Sequence, residues 1–235
     1  MPKYKRILLK LSGEAFAGKA GFGIDAGRMK EMAAEIVAAG RFGTQFGIVV
    51  GGGNFFRGVN ASSAGIQRVT VDYMGMLATA INALALCDLL RQQGGKARVM
   101  SAVAMEPIVP RFSLRDATQA LQAGEIVIFA AGTGSPFFST DTAASLRAIE
   151  IEADLLAKAT KVDGVYDKDP VRFPKARRYE KISFADVLSR ELGVMDAAAI
   201  SLCKERSLPV LVFNLNVPGN IKKLVAGKKI GTLVS

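Results

Sequence analysis

The sequence predicts an α/β fold in three layers, a mostly parallel sheet with helices on both faces. Three observations carry that prediction. Continuous apolar runs rich in β-branched residues, the text of buried strands, alternate with segments of helical period. The two kinds of segment are divided by short Gly-, Pro- or polar-rich stretches. Glycines gather where strand text becomes loop text, the carboxyl edge at which such sheets bind ligands.

Taken in order, Arg6 to Leu11 is the first strand, an apolar run broken by a single lysine. Asp25 is an N-cap for a helix that runs to Ala39 and ends at Gly40. Phe46 to Val50 is a strand that runs into three glycines, and Thr70 to Arg91 has helical period. Ala97 to Val103 and Ile126 to Ala131 are strands, with a helix at Leu114 to Gln122 between them. Helices follow at Thr140 to Ala153, Ser183 to Leu192 and Val194 to Arg206, then a strand at Pro209 to Asn214. No internal repeat or low-complexity linker interrupts the 235 residues, a length that makes one large domain or two small ones.

Composition narrows the chemistry. Half the residues are apolar, and 31 Lys+Arg against 21 Asp+Glu give a net charge of +10, which favours anionic partners. The charge is uneven: residues 1–157 hold 16 basic and 13 acidic side chains, residues 158–235 hold 15 and 8. There is no histidine, which excludes Ser-His-Asp and Cys-His mechanisms and His-ligated zinc. Cys87 and Cys203 are too few for a disulfide framework and fit a reduced compartment. The uncharged stretch Tyr73 to Cys87 is shorter than the ~20 residues of a membrane span and contains Asn and Thr. MPKYKRILLKLSGE lacks an apolar signal region, so the expected location is cytoplasmic.

Several strand ends carry phosphate signals. Gly13 to Ala20 imitates G-x-x-x-x-G-K-[ST], yet Ala20 has no hydroxyl and Gly21-Phe22-Gly23 follows where a helix would have to open, so the P-loop reading is rejected. Lys10 sits in apolar strand text just before Ser12-Gly13; an ammonium there is costly without an anion, unless it reaches solvent from the sheet face. Gly51-Gly52-Gly53-Asn54 admits close approach of backbone amides to an oxyanion, although three glycines also suit a plain turn; Arg57 adds a guanidinium fork. Gly132 to Asp141 leads into a helix N-terminus, where Ser139, Thr140 and Asp141 serve as caps, as an anion site, or both. Asp72 starts the long helix, either as a helix-terminus charge or as an acceptor for sugar hydroxyls.

Together, Lys10-Leu-Ser-Gly-Glu14, Gly51 to Gly58, Thr133 to Asp141 and Thr160 to Pro170 resemble the bacterial uridylate kinases, a branch of the amino-acid kinase family, in a likeness that spans essentially the whole chain. The resemblance implies a single domain over 1–235 with the amino-acid kinase fold, and the reaction ATP + UMP to ADP + UDP in pyrimidine nucleotide biosynthesis. Mg2+ is carried by ATP, and no protein ligand to it is implied. An acceptor-nucleotide half at about 1–157 and an ATP half at about 158–235 are also implied, usually in a homohexamer.

Carried onto these residues, Lys10, Leu11, Ser12 and Gly13 resemble the ATP phosphate loop, with Gly53 and Arg57 as further ATP contacts. Thr160, Tyr166 and Asp169 match the adenosine site. Gly52, Asp72, Thr133, Gly134, Ser135, Pro136, Phe137, Phe138, Ser139 and Thr140 match the UMP site. Asp141 resembles the acid that organises the catalytic lysine, Asp196 a second active-site acid, and Lys10 and Arg57 complete the catalytic set. Lys158 and Lys161 are candidates for a second cation. Gly18, Lys19, Ala20, Gly21, Phe22 and Gly23 resemble the segment through which GTP activates, with UTP as an inhibitor.

The chemistry agrees with the missing histidine, because a UMP phosphate oxygen is already anionic and needs no general base; positioning and cations do the work. Two other functions compete. One is a kinase of the same fold acting on a carboxylate or carbamate, disfavoured by Asp72 and the Pro-Phe-Phe-Ser-Thr loop. The other is a storage module for ATP or oxyanions, expected to lack the pair Lys10 and Asp141. A nucleic-acid role would rest on charge alone, since aromatic residues are 7% and Trp is absent.

Overall fold

A computed structural model of the chain describes residues 2–55 and 65–235. One sheet holds β1 (Arg6–Leu11), β2 (Gln45–Val50), β3 (Ala97–Ser101), β4 (Ile126–Ala130), β5 (Leu155–Thr160), β6 (Lys181–Ile182), β7 (Val210–Asn214) and β8 (Thr232–Val234). Their spatial order is β3-β4-β2-β1-β5-β7-β8-β6. Pairing is parallel from β3 through β7, β8 runs antiparallel to β7, and β6 is parallel to β8. The chain leaves β1 towards β2 and leaves β5 towards β7, in opposite directions. A crevice therefore opens at the carboxyl ends of β1 and β5, where open α/β sheets bind ligands.

Strand alternation sends successive side chains to opposite faces. Ile7, Leu9 and Leu11 join a core under α1 (Ala26–Gly40), α2 (Arg68–Gln92) and the short α7 (Asn220–Val225). Leu8 joins a second core under α3 (Leu114–Gln122), α4 (Thr140–Glu150), α5 (Phe184–Ser189) and α6 (Ala197–Glu205). The three layers are as expected. The same alternation puts Lys10 on the face of Leu8, the one that α4 covers.

The five expected strands form, with ends shifted by one or two residues; β5, β6, β8 and α7 were not anticipated. Leu155-Leu-Ala-Lys-Ala-Thr160 is made largely of good helix formers, and pairing between β1 and β7 overrides that preference. The expected helix from Thr140 to Ala153 stops at Glu150 because Glu152 is left-handed, with φ 52°. Helices expected from Ser183 and Val194 are shorter, capped instead by Ser183 and Asp196. Asp25 caps α1 by accepting from the Arg28 amide. No α-helix opens at the false P-loop, which forms 3-10 turns at Gly13–Ala15 and Gly18–Ala20.

By length and composition α2 is apolar enough to cross a membrane, which the count of uncharged residues did not register; half of its most apolar window is buried. Ala80, Ala83, Leu86 and Leu90 pack into the core against the sheet. Cys87 and Cys203 are buried free thiols, and burial pushes Cys203 up to about 11, so neither is set up as a nucleophile.

Candidate active site

The parallel register sets Lys10 beside Lys158 on neighbouring strands, with both side chains on the α4 face. Two ammoniums at that spacing repel, and burial penalises each. Asp141, in the first turn of α4, resolves the conflict. Its Oδ1 lies 2.9 Å from Lys10 Nζ and its Oδ2 accepts a 2.7 Å hydrogen bond from Lys158 Nζ. All three side chains are 11–15% exposed.

Burial alone would raise the Asp141 carboxyl, but Lys10 and then Lys158 outweigh it and hold it below its ordinary value. Burial lowers the Lys158 ammonium, and the attraction of Asp141 only partly restores it. Lys158 also donates to the Val194 carbonyl. The cluster keeps a surplus positive charge at the crevice floor, suited to an anion.

Asp141 is aimed by its helix end. The Ser139 hydroxyl oxygen accepts from the amides of Asp141 at 2.9 Å and Thr142 at 3.1 Å, an N-cap. Asp196 holds that cap from behind: its carboxylate accepts from the Ser139 hydroxyl, from Thr142 Oγ1 at 2.9 Å and from the Ala199 amide at 2.9 Å. Asp196 thus joins the starts of α4 and α6, and it acts on the lysine cluster through Ser139.

The glycine loops converge. A Cβ on Gly13 would stand 2.6 Å from the Gly53 amide nitrogen and 2.7 Å from the Gly51 carbonyl oxygen, so the loops after β1 and β2 touch backbone to backbone. A Cβ on Gly52 would meet the Gly75 carbonyl oxygen at 2.7 Å. The Gly51 amide is not offered to a ligand, because it donates to the Leu11 carbonyl at 2.9 Å. Buried Asn82 of α2 donates to the Gly51 carbonyl at 2.8 Å and exchanges side-chain hydrogen bonds with Asn54. Arg57 and Gly58 lie outside the described residues.

Two cavities flank the lysine cluster. One of about 230 Å³ is bordered by Gly52, Gly53, Asp72, Thr133, Phe138 and Thr140. Asp72 accepts the Phe137 amide at 2.7 Å and the Arg68 guanidinium at 2.9 Å, so it fastens the loop that forms the wall. Phe137 has φ 72° and is 66% exposed, and Thr133 Oγ1 accepts from the Ser135 amide. Gly134 packs against Ala102, and Pro136 lies in the same loop, after Ser135.

The second cavity, about 550 Å³, is bordered by Lys158, Thr160, Tyr166, Asp169 and Val194. The Tyr166 hydroxyl donates to Asp163, which raises the phenol. A third, of about 840 Å³, reaches Lys10, Ser12, Lys158 and Lys161 from the α1 side. There Lys161 Nζ lies 2.7 Å from Glu14 Oε2. Leu11 is buried beneath the floor.

The Gly18–Gly23 segment is bound to the triglycine loop, since the Gly23 amide donates to the Asn54 carbonyl at 3.0 Å and Asn54 Nδ2 donates back at 2.8 Å. Gly21 is left-handed and Phe22 is 67% exposed. Ala20 ends a 3-10 turn that contains Lys19. Sequence reading placed Asn54 in the triglycine loop without a partner and did not find Asn82, Thr79 or Thr142, all on helices. The available signal was polar side chains in otherwise apolar helix text, which in a buried helix need partners.

A sheet of this order, with paired ammoniums and one carboxylate at its central carboxyl edge, defines an open α/β fold whose crevice suits an anion. The sequence profile of the amino acid kinase family matches residues 5–214, and the chain belongs to that family. Among solved structures it is similar to UMP kinase from Bacillus anthracis, at 38% identity and TM-score 0.96 over 99% of this chain and 96% of that one. UMP kinase from Ureaplasma parvum matches at 37% identity and TM-score 0.93, covering 99% of each chain. Uridylate kinase from Archaeoglobus fulgidus matches at 28% identity and TM-score 0.76, over 97% of this chain and 99% of that one.

Proposed function

We propose that the chain transfers the γ-phosphoryl group of MgATP directly to UMP, giving ADP and UDP for pyrimidine nucleotide synthesis. The observation that carries the reading is the cluster of Lys10, Asp141 and Lys158 at the crevice floor, with one cavity beside the start of the Asp141 helix and another beside Lys158. A UMP phosphate oxygen attacks the γ-phosphorus in line. The bond to the β–γ bridging oxygen breaks, and ADP leaves with its electron pair. No proton has to be removed from the nucleophile, which accords with a chain that has no histidine.

In this reading Lys10 and Lys158 neutralise charge that builds on the transferring oxygens, and Asp141 holds both in place. Mg2+ enters with ATP as part of the substrate. Leu11, Ser12, Gly13, Gly53 and Arg57 surround the ATP phosphates, and Thr160, Tyr166 and Asp169 the adenosine. UMP takes the cavity of Gly52, Asp72 and Thr133 through Thr140. Asp196 is a positioning residue. The two halves of the chain, about 1–157 and 158–235, supply mainly the acceptor and the ATP side respectively.

A homohexamer, cytoplasmic location, activation by GTP and inhibition by UTP complete the proposal. The hydrogen bonds from Gly23 to Asn54 give a route by which the Gly18–Gly23 segment would act on the triglycine loop. The test is Mg2+-dependent ADP release with UMP, CMP, dUMP, AMP, aspartate, glutamate, carbamate and isopentenyl phosphate offered separately. Turnover confined largely to UMP is expected, and Lys10→Ala abolishes it with the fold retained. ATP binding without turnover of any acceptor would replace this reading with a storage module.

A further inference from the structure

The basic surplus of residues 158–235 is not absorbed by the nucleotide cavities. Much of it lines a separate cavity of about 390 Å³ on the far side of the β7–β8 edge. Lys3, Arg178, Lys181, Lys228 and Lys229 stand around it with one acid, Glu180. They come from three stretches distant in sequence: the entry to β1, the approach to β6, and the α7–β8 loop. Among the described residues, none of the four lysines has a carboxylate within ion-pair distance. The floor is apolar, with Tyr4, Ile230 and Leu233 half-buried against the main core. This cavity shares no lining residue with the three around the lysine cluster.

One wall is tied by hydrogen bonds to the adenosine side. Arg178 lines the groove, yet its guanidinium donates to the Asp163 carbonyl at 3.1 Å and pairs with the Asp163 carboxylate at 3.2 Å. Asp163 in turn accepts the Tyr166 hydroxyl. The backbone is joined as well, because Thr232 Oγ1 of β8 accepts the Val165 amide at 2.9 Å. An anion that draws Arg178 into the groove competes directly with Asp163 for that guanidinium.

We propose that this groove binds a small phosphorylated molecule with an apolar body, and that its occupation changes ATP affinity through Arg178, Asp163 and Tyr166. The cations at the rim suit a dianion, while the apolar floor and the volume suit a compact organic body, which a polymer backbone does not offer. The coupling rests on the assignment of Tyr166 to ATP. The binding does not.

The probe is 1-naphthyl phosphate, titrated calorimetrically into the full chain with a non-hydrolysable ATP analogue and UMP already saturating. One site is expected, at least tenfold tighter than inorganic phosphate, and weakened at least tenfold in the Lys228→Ala/Lys229→Ala double variant, whose melting curve matches the parent. Loss of the signal when nucleotides are present, or equal binding by the double variant, overturns the site. Salt-sensitive binding of random oligonucleotides with no binding of the probe also overturns it, in favour of a polyanion surface. A second titration reads ATP affinity directly, with and without the probe. A change of threefold or more in the parent that disappears in Arg178→Ala supports the coupling, and no change removes that half alone. Failure to bind ATP at all would instead sink the kinase reading, with the probe site judged on the first titration.

Discussion

Lys10 and Lys158 would repel each other across adjacent strands if Asp141 did not divide its two oxygens between them at 2.9 and 2.7 Å. Removing one member of a buried charge group typically costs about 3–5 kcal/mol, because the remaining charges lose their partner. Asp141→Asn is therefore expected to lower the thermal midpoint by roughly 10 °C in a chain of this size and to cut kcat at least a hundredfold. An unchanged melt with normal turnover would remove Asp141 from both roles. The signs of the pH effects differ. Asp141 is held below its ordinary 3.8, so its stabilisation is complete above that value and is lost as pH falls through the lowered one. Lys158 is lowered from 10.5, so the cost of burying its charge is relieved as pH rises through the lowered value, but so is its attraction for phosphate. The alkaline limb of kcat is expected below pH 10.5, and Lys158→Arg should move it upward, since a guanidinium stays charged. A limb that does not move belongs to another group.

Helices α4 and α6 show how an element end sets a reacting group. Asp196 caps α6 and also holds the Ser139 and Thr142 hydroxyls at the start of α4, in the same turn as Asp141. Asp196→Ala removes that cap and loosens the other, worth about 1–2 kcal/mol together. It should reduce kcat more than it raises KM, because Ser139 is one of many cavity residues whereas the aim of Asp141 depends on that cap. Urea melts and steady-state kinetics check this; a pure KM effect would place Asp196 against a substrate instead. Caps such as Asp25 and Ser139 were legible in the sequence, since capping is a local hydrogen bond between near neighbours. Strand β5 was not, because Leu155-Leu-Ala-Lys-Ala-Thr160 becomes a strand only through its neighbours β1 and β7. With β5 unseen, Lys158 stayed one of two candidates, beside Lys161, and its pairing with Lys10 was invisible. The pairing of Asn54 with Asn82 was missed for the same reason, the two being 28 residues apart and partners only once α2 lies over the triglycine loop.

At the scale of the molecule, the site lies where the sheet order places the ends of β1 and β5, and glycine loops after apolar strands were enough to anticipate that edge. The outer surface of α2 is a separate matter. A helix apolar on all sides has to be covered on all sides, yet the sheet covers only one of them. Tyr73, Leu77, Ile81 and Leu84, each about one turn after the last, are 49, 56, 49 and 39% exposed. A contiguous stripe of this kind marks an interface more often than a solvated face. A second copy of the same helix is a self-complementary cover, which is how a two-fold contact within the proposed hexamer would form. Leu77→Glu with Ile81→Glu sets like charges against each other across such a contact. It should break the assembly into smaller species by light scattering and lower the thermal midpoint, while the lysine cluster, on the opposite face of the sheet from α2, keeps its geometry. If the parent is itself a monomer at micromolar concentration, or the double variant keeps the parent mass, the stripe is not an interface between copies. Loss of assembly with turnover per chain retained would show that each chain holds a complete site. Loss of both would mean that packing along α2 supports the Gly52 and Asp72 walls from across the interface.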